Sequence, residues 1–202
     1  MKARVAIFDY GSGNLRSLLT AIDVSGASGR VVENVGQLES ASLLLLPGVG
    51  SAVGALSKLR DSWMFEALST WVESERPVLG ICLGAQLMFE WLGEADCAGL
   101  GWLSGPVLPL PSEIASHTGW AELDFDALKR AGLATRLHPS ATFFFNHRYH
   151  LPKVDVSHLV ATVEEHPIVA LVRERNLTGV QFHPEKSQAA GAQILRNILG
   201  AK

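Results

Sequence analysis

Short, largely apolar runs that stop at or just before a turn signal constrain this chain more than any other feature. Ala3 to Phe8, Ser42 to Leu46 and Pro77 to Ile81 are each about one strand long. They lack the polar alternation of a strand with one wet face. Each leads into a segment with apolar residues at helical spacing: Leu15 to Val24, then Ala52 to Leu59 and Met64 to Glu73, then Gly84 to Trp91. Apolar strands alternating with helices predict a mostly parallel central sheet with helices on both faces, an α/β fold. The second half reads differently. Ala141 to Leu151 and Pro167 to Arg173 are strand-like, Arg175 to Thr178 supplies a turn, and Gly179 to Phe182 returns as a strand. That pattern predicts an antiparallel extension, and Ala189 to Leu199 closes the chain as an amphipathic helix.

Nothing divides these segments. The 202 residues contain no repeat and no Pro/Gly/Ser linker, so residues 1–202 are expected to form a single domain. A net charge of −3 gives no reason to expect nucleic acid or an anionic membrane as a partner. No run approaches the roughly 20 apolar residues of a membrane span. The N-terminal run has none of the marks of a secretion signal. The expected location is the cytoplasm, where the two cysteines, Cys82 and Cys97, stay reduced.

Cys82 has a distinctive setting. In Val78-Leu79-Gly80-Ile81-Cys82-Leu83-Gly84 an apolar strand ends at the thiol and a helix begins at once. A sharp strand-to-helix turn strains its central residue and leaves little room beside it, which suits Gly80 and Gly84. Such a turn lifts the sulfur above the sheet edge, places it at a helix N-terminus and aims the Leu83 N–H where an oxyanion would form. By itself the motif also fits a buried structural cysteine. Cys97 has no comparable surroundings.

A thiol nucleophile needs a base, and the base needs a third group to orient it. Val180-Gln181-Phe182-His183-Pro184-Glu185 supplies both: Glu185 can accept from one imidazole nitrogen of His183 and leave the other for Cys82. His117, His138, His147, His150, His158 and His166 remain alternatives for the base, Glu164 and Glu165 lying just upstream of His166. No His-x-x-x-His or Cys-x-x-Cys pair occurs, and His147 with His150 is a weak doublet, so no metal is expected.

Together these segments resemble the class I (triad) glutamine amidotransferases, whose nucleophile elbow is similar to Gly80-Ile81-Cys82-Leu83-Gly84-Ala85-Gln86 and whose His-Pro-Glu element is similar to His183-Pro184-Glu185. Within that class the chain resembles the HisH-type glutaminase subunits of imidazole glycerol phosphate synthase. Asp9 to Ser17 resembles the N-terminal loop of that family, and Leu46-Pro47-Gly48-Val49-Gly50 its oxyanion strand. His117-Thr118-Gly119-Trp120 resembles its His-x-Gly-Trp element, and Gly179 to Gln188 its C-terminal signature. Order and spacing hold from residue 5 to residue 200.

The resemblance implies a flavodoxin-like domain, no cofactor, and the hydrolysis of glutamine to glutamate and ammonia. It implies that Cys82 attacks the amide carbon, His183 moves the proton and Glu185 orients His183. Gly48, Val49, Gly50 and Leu83 would form the oxyanion site. Val49 would be a switch residue on a strand held inactive until a partner engages. Gln86, Glu94, His147, Arg148 and Tyr149 would contact glutamine. The implied partner is a (β/α)8-barrel, HisF-type cyclase that makes imidazole glycerol phosphate and AICAR, met through Asn14, Trp120 and Lys186. From the residues alone, Asn14 also reads as a helix cap, Trp120 as core and Lys186 as a solvated charge.

The chain departs from the family pattern at Ser116 and Thr118, where Pro and Met are usual, and at Ala121, usually Asn. It departs again at Phe144, which lacks a common hydroxyl, and at Arg148, usually Ser or Thr. Two rivals stay open at this point: a triad glutaminase serving pyridoxal phosphate synthesis, and a non-catalytic module with a reactive cysteine.

Overall fold

The computed structural model describes residues 2–11, 14–60, 63–153, 158–163 and 166–200, and for 158–163 and 166 the backbone alone. Ser12 and Gly13 of the N-terminal loop, Glu164, Glu165 and the side chains of His158 and His166 therefore lie outside the described residues.

The elements run β1 (Arg4–Ile7), α1 (Leu15–Val24), β2 (Ser28–Val31), α2 (Val35–Glu39), β3 (Leu43–Leu46), α3 (Ala52–Arg60), α4 (Met64–Glu73) and β4 (Val78–Ile81). Then come α5 (Leu83–Gln86), β5 (Phe89–Leu92), β6 (Cys97–Ala98), β7 (Leu103–Pro109), β8 (His117–Glu122), α6 (Phe125–Arg130), β9 (Thr142–His147) and β10 (Tyr149–His150). The chain ends with β11 (His158–Val163), β12 (His166–Glu174), β13 (Leu177–Val180), one 3-10 turn (Pro184–Lys186) and α7 (Gln188–Leu199).

The main sheet has seven strands in the order β11-β12-β13-β4-β3-β1-β2. From β13 to β2 all pairs are parallel, while β12 pairs antiparallel with both β13 and β11. This is the expected parallel sheet with its antiparallel extension. The run of leucines in β3 shows why the sheet is covered on both faces. Leu44 and Leu46 belong to a core with Leu56, Leu59 and Trp71 from α3 and α4. Leu43 and Leu45 belong to a second core with Leu18 and Ile22 of α1 and Ile194 and Leu195 of α7. Alternate residues of one strand thus fill two separate cores, and a polar residue at any of the four positions would face apolar packing.

The expected helix Gly84 to Trp91 is a correction. The helix stops at Gln86, and Phe89–Leu92 forms β5 in a small separate sheet ordered β10-β7-β5-β6. The chain that follows captures its backbone: Leu100 N–H donates to the Leu87 carbonyl, Leu103 N–H to that of Met88 and Gly101 N–H to that of Phe89. Long-range pairing overrides helical spacing here. The turn before β13 is also shorter than expected, because Leu177 and Thr178 already lie in the strand. β8 and β9 form a two-stranded ribbon that joins His117 to His147 in register.

Candidate active site

The site sits beyond the carboxyl ends of β3, β4 and β13, where parallel α/β sheets open a crevice. Cys82 has φ 46° and ψ −108°, a strained conformation for a residue with a side chain. Glycine on either side makes the turn possible. A Cβ on Gly84 would stand 2.1 Å from the Leu46 carbonyl oxygen, and one on Gly80 would stand 2.6 Å from Ala85 Cα. The Cys82 N–H donates to the Val180 carbonyl at 2.7 Å, and the Cys82 carbonyl accepts from Gln86 N–H at 3.0 Å. These bonds fix the strained residue from both sides. Since α5 is only one turn long, its dipole is small, and the expectation of a long helix behind the thiol is withdrawn.

His183 follows β13, next to β4 in the sheet. Its backbone N–H donates to the Phe144 carbonyl at 2.7 Å. Ser187 ties the turn down: its hydroxyl donates to the His183 carbonyl at 2.6 Å and accepts from the Phe144 N–H at 2.9 Å. His183 Nδ1 lies 2.8 Å from Glu185 Oε1, with the two side chains 2% and 5% exposed. So little exposure makes this a buried pair rather than a surface one. Burial by itself pulls the imidazole pKa down, but hydrogen bonds to Cys82 and Glu185, reinforced by their charges, outweigh it and raise the value to about 9. Asn14 Nδ2 contacts Glu185 Oε1 at 3.4 Å. Asn14 stands at the N-cap of α1 and its carbonyl accepts from Leu18 N–H, but its side chain makes no cap bond.

A cavity of about 540 Å³ opens in front of the sulfur. Gly48, Val49, Gly50 and Leu83 line it, and so do Gln86, Glu94, His147, Arg148 and Tyr149. Cys82 and His183 both reach it, as do Ser116, Thr118 and Asn146. All the residues expected around glutamine and the oxyanion therefore share one cavity. Their side chains differ in character: Glu94 and Arg148 are exposed, while Gln86 and His147 are buried.

His147 is shifted the opposite way from His183. Burial lowers its pKa to about 4, against the raising effect of its bond to the Tyr149 carbonyl. Its Nδ1 lies 2.8 Å from that carbonyl, so Nδ1 carries the proton, and Nε2 accepts from His117 Nδ1 at 3.3 Å. His147 is thus held neutral by burial, and His183 is the imidazole facing the thiol. Among the described residues no cluster of three or more His, Cys, Asp or Glu is arranged to hold a metal.

Trp120 and Lys186 lie to one side, against Phe144. Trp120 is 48% exposed, which rules out the core reading. Its ring meets Phe144 edge-on at 5.7 Å, and Lys186 Nζ lies 5.7 Å from the same Phe144 ring.

Four contributors went unread in the sequence. The buried Tyr10 hydroxyl donates to the Pro47 carbonyl, anchoring the segment that leads to Gly48 and Val49. Burial, helped by nearby Cys82 and Asp9, pushes its phenol well above the usual value, so it stays a donor. Asn146 offers a carbonyl 3.9 Å from Cys82 Sγ. Gln181 and Ser187 are buried polar residues within the C-terminal signature. Their burial was the missing signal, and the turn beside them gave only partial warning of it.

Comparison with known proteins gives the family of the chain. Residues 6–201 match the family model for "Glutamine amidotransferase class-I". The chain is 39% identical over 210 residues to imidazole glycerol phosphate synthase subunit HisH of Rhodospirillum rubrum, covering 97% of this chain and 98% of that protein. It is 37% identical over 201 residues to the HisH subunit of Synechococcus elongatus, covering 97% and 92%. The fold also superposes on the structure of PurLQS from Thermotoga maritima with a TM-score of 0.74 and 19% identity, covering 99% of each chain. The chain therefore belongs to the class-I glutamine amidotransferases, among the HisH-type subunits of imidazole glycerol phosphate synthase.

Proposed function

We propose that the chain hydrolyses glutamine to glutamate and ammonia with Cys82, His183 and Glu185, and hands the ammonia to a (β/α)8-barrel cyclase of the HisF type. A buried Glu185–His183 pair whose imidazole shares one cavity with Cys82 is the observation that carries this reading.

The steps follow from proton positions. His183 takes the Cys82 thiol proton as the attack begins, and its raised pKa, near 9, suits it to hold that proton. The sulfur attacks the side-chain amide carbon of glutamine. The carbonyl oxygen takes up the negative charge beside the Leu83 N–H and the Gly48-Val49-Gly50 segment. His183 passes its proton to the nitrogen, the C–N bond breaks, and ammonia leaves a glutamyl thioester. Water then gives a proton to His183 and attacks the thioester, the C–S bond breaks, and glutamate is released. Glu185 stabilises the imidazolium in each half of the cycle.

Gln86, Glu94, His147, Arg148 and Tyr149 form the wall that positions glutamine, Gln86 and His147 acting through bonds to the Tyr149 backbone. Val49 is the switch, set opposite the sulfur when the partner engages. Asn14, Trp120 and Lys186 face that partner, and the exposed aromatic edge at Trp120 supports this. The partner consumes the ammonia to form imidazole glycerol phosphate and AICAR in histidine biosynthesis. Direct delivery makes chemical sense, because ammonium formed in bulk water is no nucleophile. Residues 1–202 work as one domain in the cytoplasm, and among the described residues no helix is long and apolar enough to cross a membrane.

The test is Cys82→Ala in the complex. Glutamine-dependent product formation should disappear, while synthesis from added ammonium salt should persist. Glutamine turnover by this variant would remove Cys82 as the nucleophile.

A further inference from the structure

Gln181 takes no part in the steps above, yet it touches the reacting atom. Its side chain is wholly buried, and its Nε2 lies 3.6 Å from Cys82 Sγ. The sheet places it there. Val180 is the register partner of Ile81 across β13 and β4, so the next residues, Gln181 and Cys82, stand side by side. The Gln181 N–H donates to the Ala170 carbonyl at 2.9 Å, which fixes its backbone from the other side.

The direction of the Gln181 amide is set by its neighbours. Gln86 Nε2 donates to the Tyr149 carbonyl at 2.9 Å. A carbonyl cannot donate, so the end of Gln86 facing it is the nitrogen. The same Nε2 donates to Gln181 Oε1 at 3.2 Å. With its oxygen occupied by Gln86, Gln181 presents its N–H end to the sulfur. The Tyr149 carbonyl is held in turn by His147 Nδ1.

We propose that Gln181 is a further catalytic residue whose side-chain N–H stabilises the Cys82 thiolate, with Gln86 and the Tyr149 carbonyl holding the amide in its donating direction. This rests on Cys82 being the nucleophile. A neutral donor bonds an anionic sulfur more strongly than a thiol, so the contact favours the charged form. His183 faces the same sulfur, and with α5 only a single turn long Gln181 adds the neutral donor that a longer helix would contribute. The amide acts twice per cycle. It stabilises the thiolate before attack. It does so again when the thioester C–S bond breaks and the electron pair returns to sulfur.

The test uses the full chain without glutamine. Iodoacetamide alkylation of Cys82 is followed from pH 5 to pH 10, and Cys82→Ala gives the background from Cys97. Gln181→Met keeps the size of the side chain and removes the donor. It should slow alkylation at pH 7 roughly tenfold or more and move the profile to higher pH. Gln181→Glu, which places acceptor oxygens at the sulfur, should move it further. In the complex, Gln181→Met should lower kcat for glutamine by a similar factor with little change in KM. A folded variant with the unaltered profile overturns the proposal. In the unsubstituted chain, the Gln181 side-chain amide resonances should move with pH along the alkylation profile; resonances that stay still overturn it too, even where neither variant folds. Failure of the underlying reading looks different: there Cys82→Ala would keep hydrolysing glutamine, whatever Gln181 does to alkylation.

Discussion

Tyr10 reaches from the end of β1 to the carbonyl of Pro47, bonding the first strand to the segment that carries the expected oxyanion donors. Both partners are buried. Tyr10→Phe leaves that carbonyl without its donor. The expected cost is about 1–3 kcal/mol, read as a lower urea midpoint with an unchanged slope.

The two shifted histidines give opposite pH dependences. His183 is raised from 6.5 to about 9 on folding. Its stabilising contribution is complete below about pH 6.5 and is lost as pH rises through 9. His147 is lowered from 6.5 to about 4. Its neutral, buried form is fully favoured above pH 6.5, and that advantage is lost as pH falls toward 4. Stability measured by urea unfolding should therefore peak between about pH 6 and 7 as far as these groups decide it. His147→Gln should flatten the acid side, and Glu185→Gln should flatten the alkaline side.

Gly84→Ala probes the elbow directly. Its new Cβ would meet the Leu46 and Pro47 backbone, which cannot swing aside as a side chain can. The expected loss is on the order of 2–4 kcal/mol, read from thermal or urea unfolding. Glutamine hydrolysis should fall as well, because Cys82 shifts with the turn.

Arg76 holds the end of α2 to the sheet, away from the site. Its guanidinium donates to the Glu39 and Ala41 carbonyls and lies 3.4 Å from the centroid of the Trp71 ring. Lysine cannot fork between two carbonyls while stacking on indole. Arg76→Lys should cost about 1–2 kcal/mol in urea unfolding and leave the glutaminase rate of the folded protein unchanged.

Local chemistry was readable from the chain, and long-range register was not. Leu15–Val24 and Met64–Glu73 are helices over the residues expected, because their apolar spacing and boundaries are local. The meeting of His183 with Glu185 and Cys82 is legible for the same reason, since each lies in a short signature whose residue types answer one another's needs. Helical spacing runs through Phe89–Leu92, yet these residues form a strand because they pair with Leu103–Pro109. The ribbon of β8 and β9 was unseen apart from its strand-like second half. Tyr10, Gln181 and Ser187 act through partners on other elements. For Tyr10 and Gln181 no local window contains the reason for its place, and for Ser187 only the bond to the His183 carbonyl is local.

The neighbouring positions of β4 and β13 in the sheet have a consequence for how such a protein can be altered. Cys82 and Gln181 are 99 residues apart along the chain, yet one pairing register sets them side by side. The intervening stretch can lengthen, shorten or exchange its surface loops without moving nucleophile from base. A redesign of this scaffold for another amide would therefore leave those two strands untouched and rewrite the walls of the cavity, which are borne largely by what lies between them.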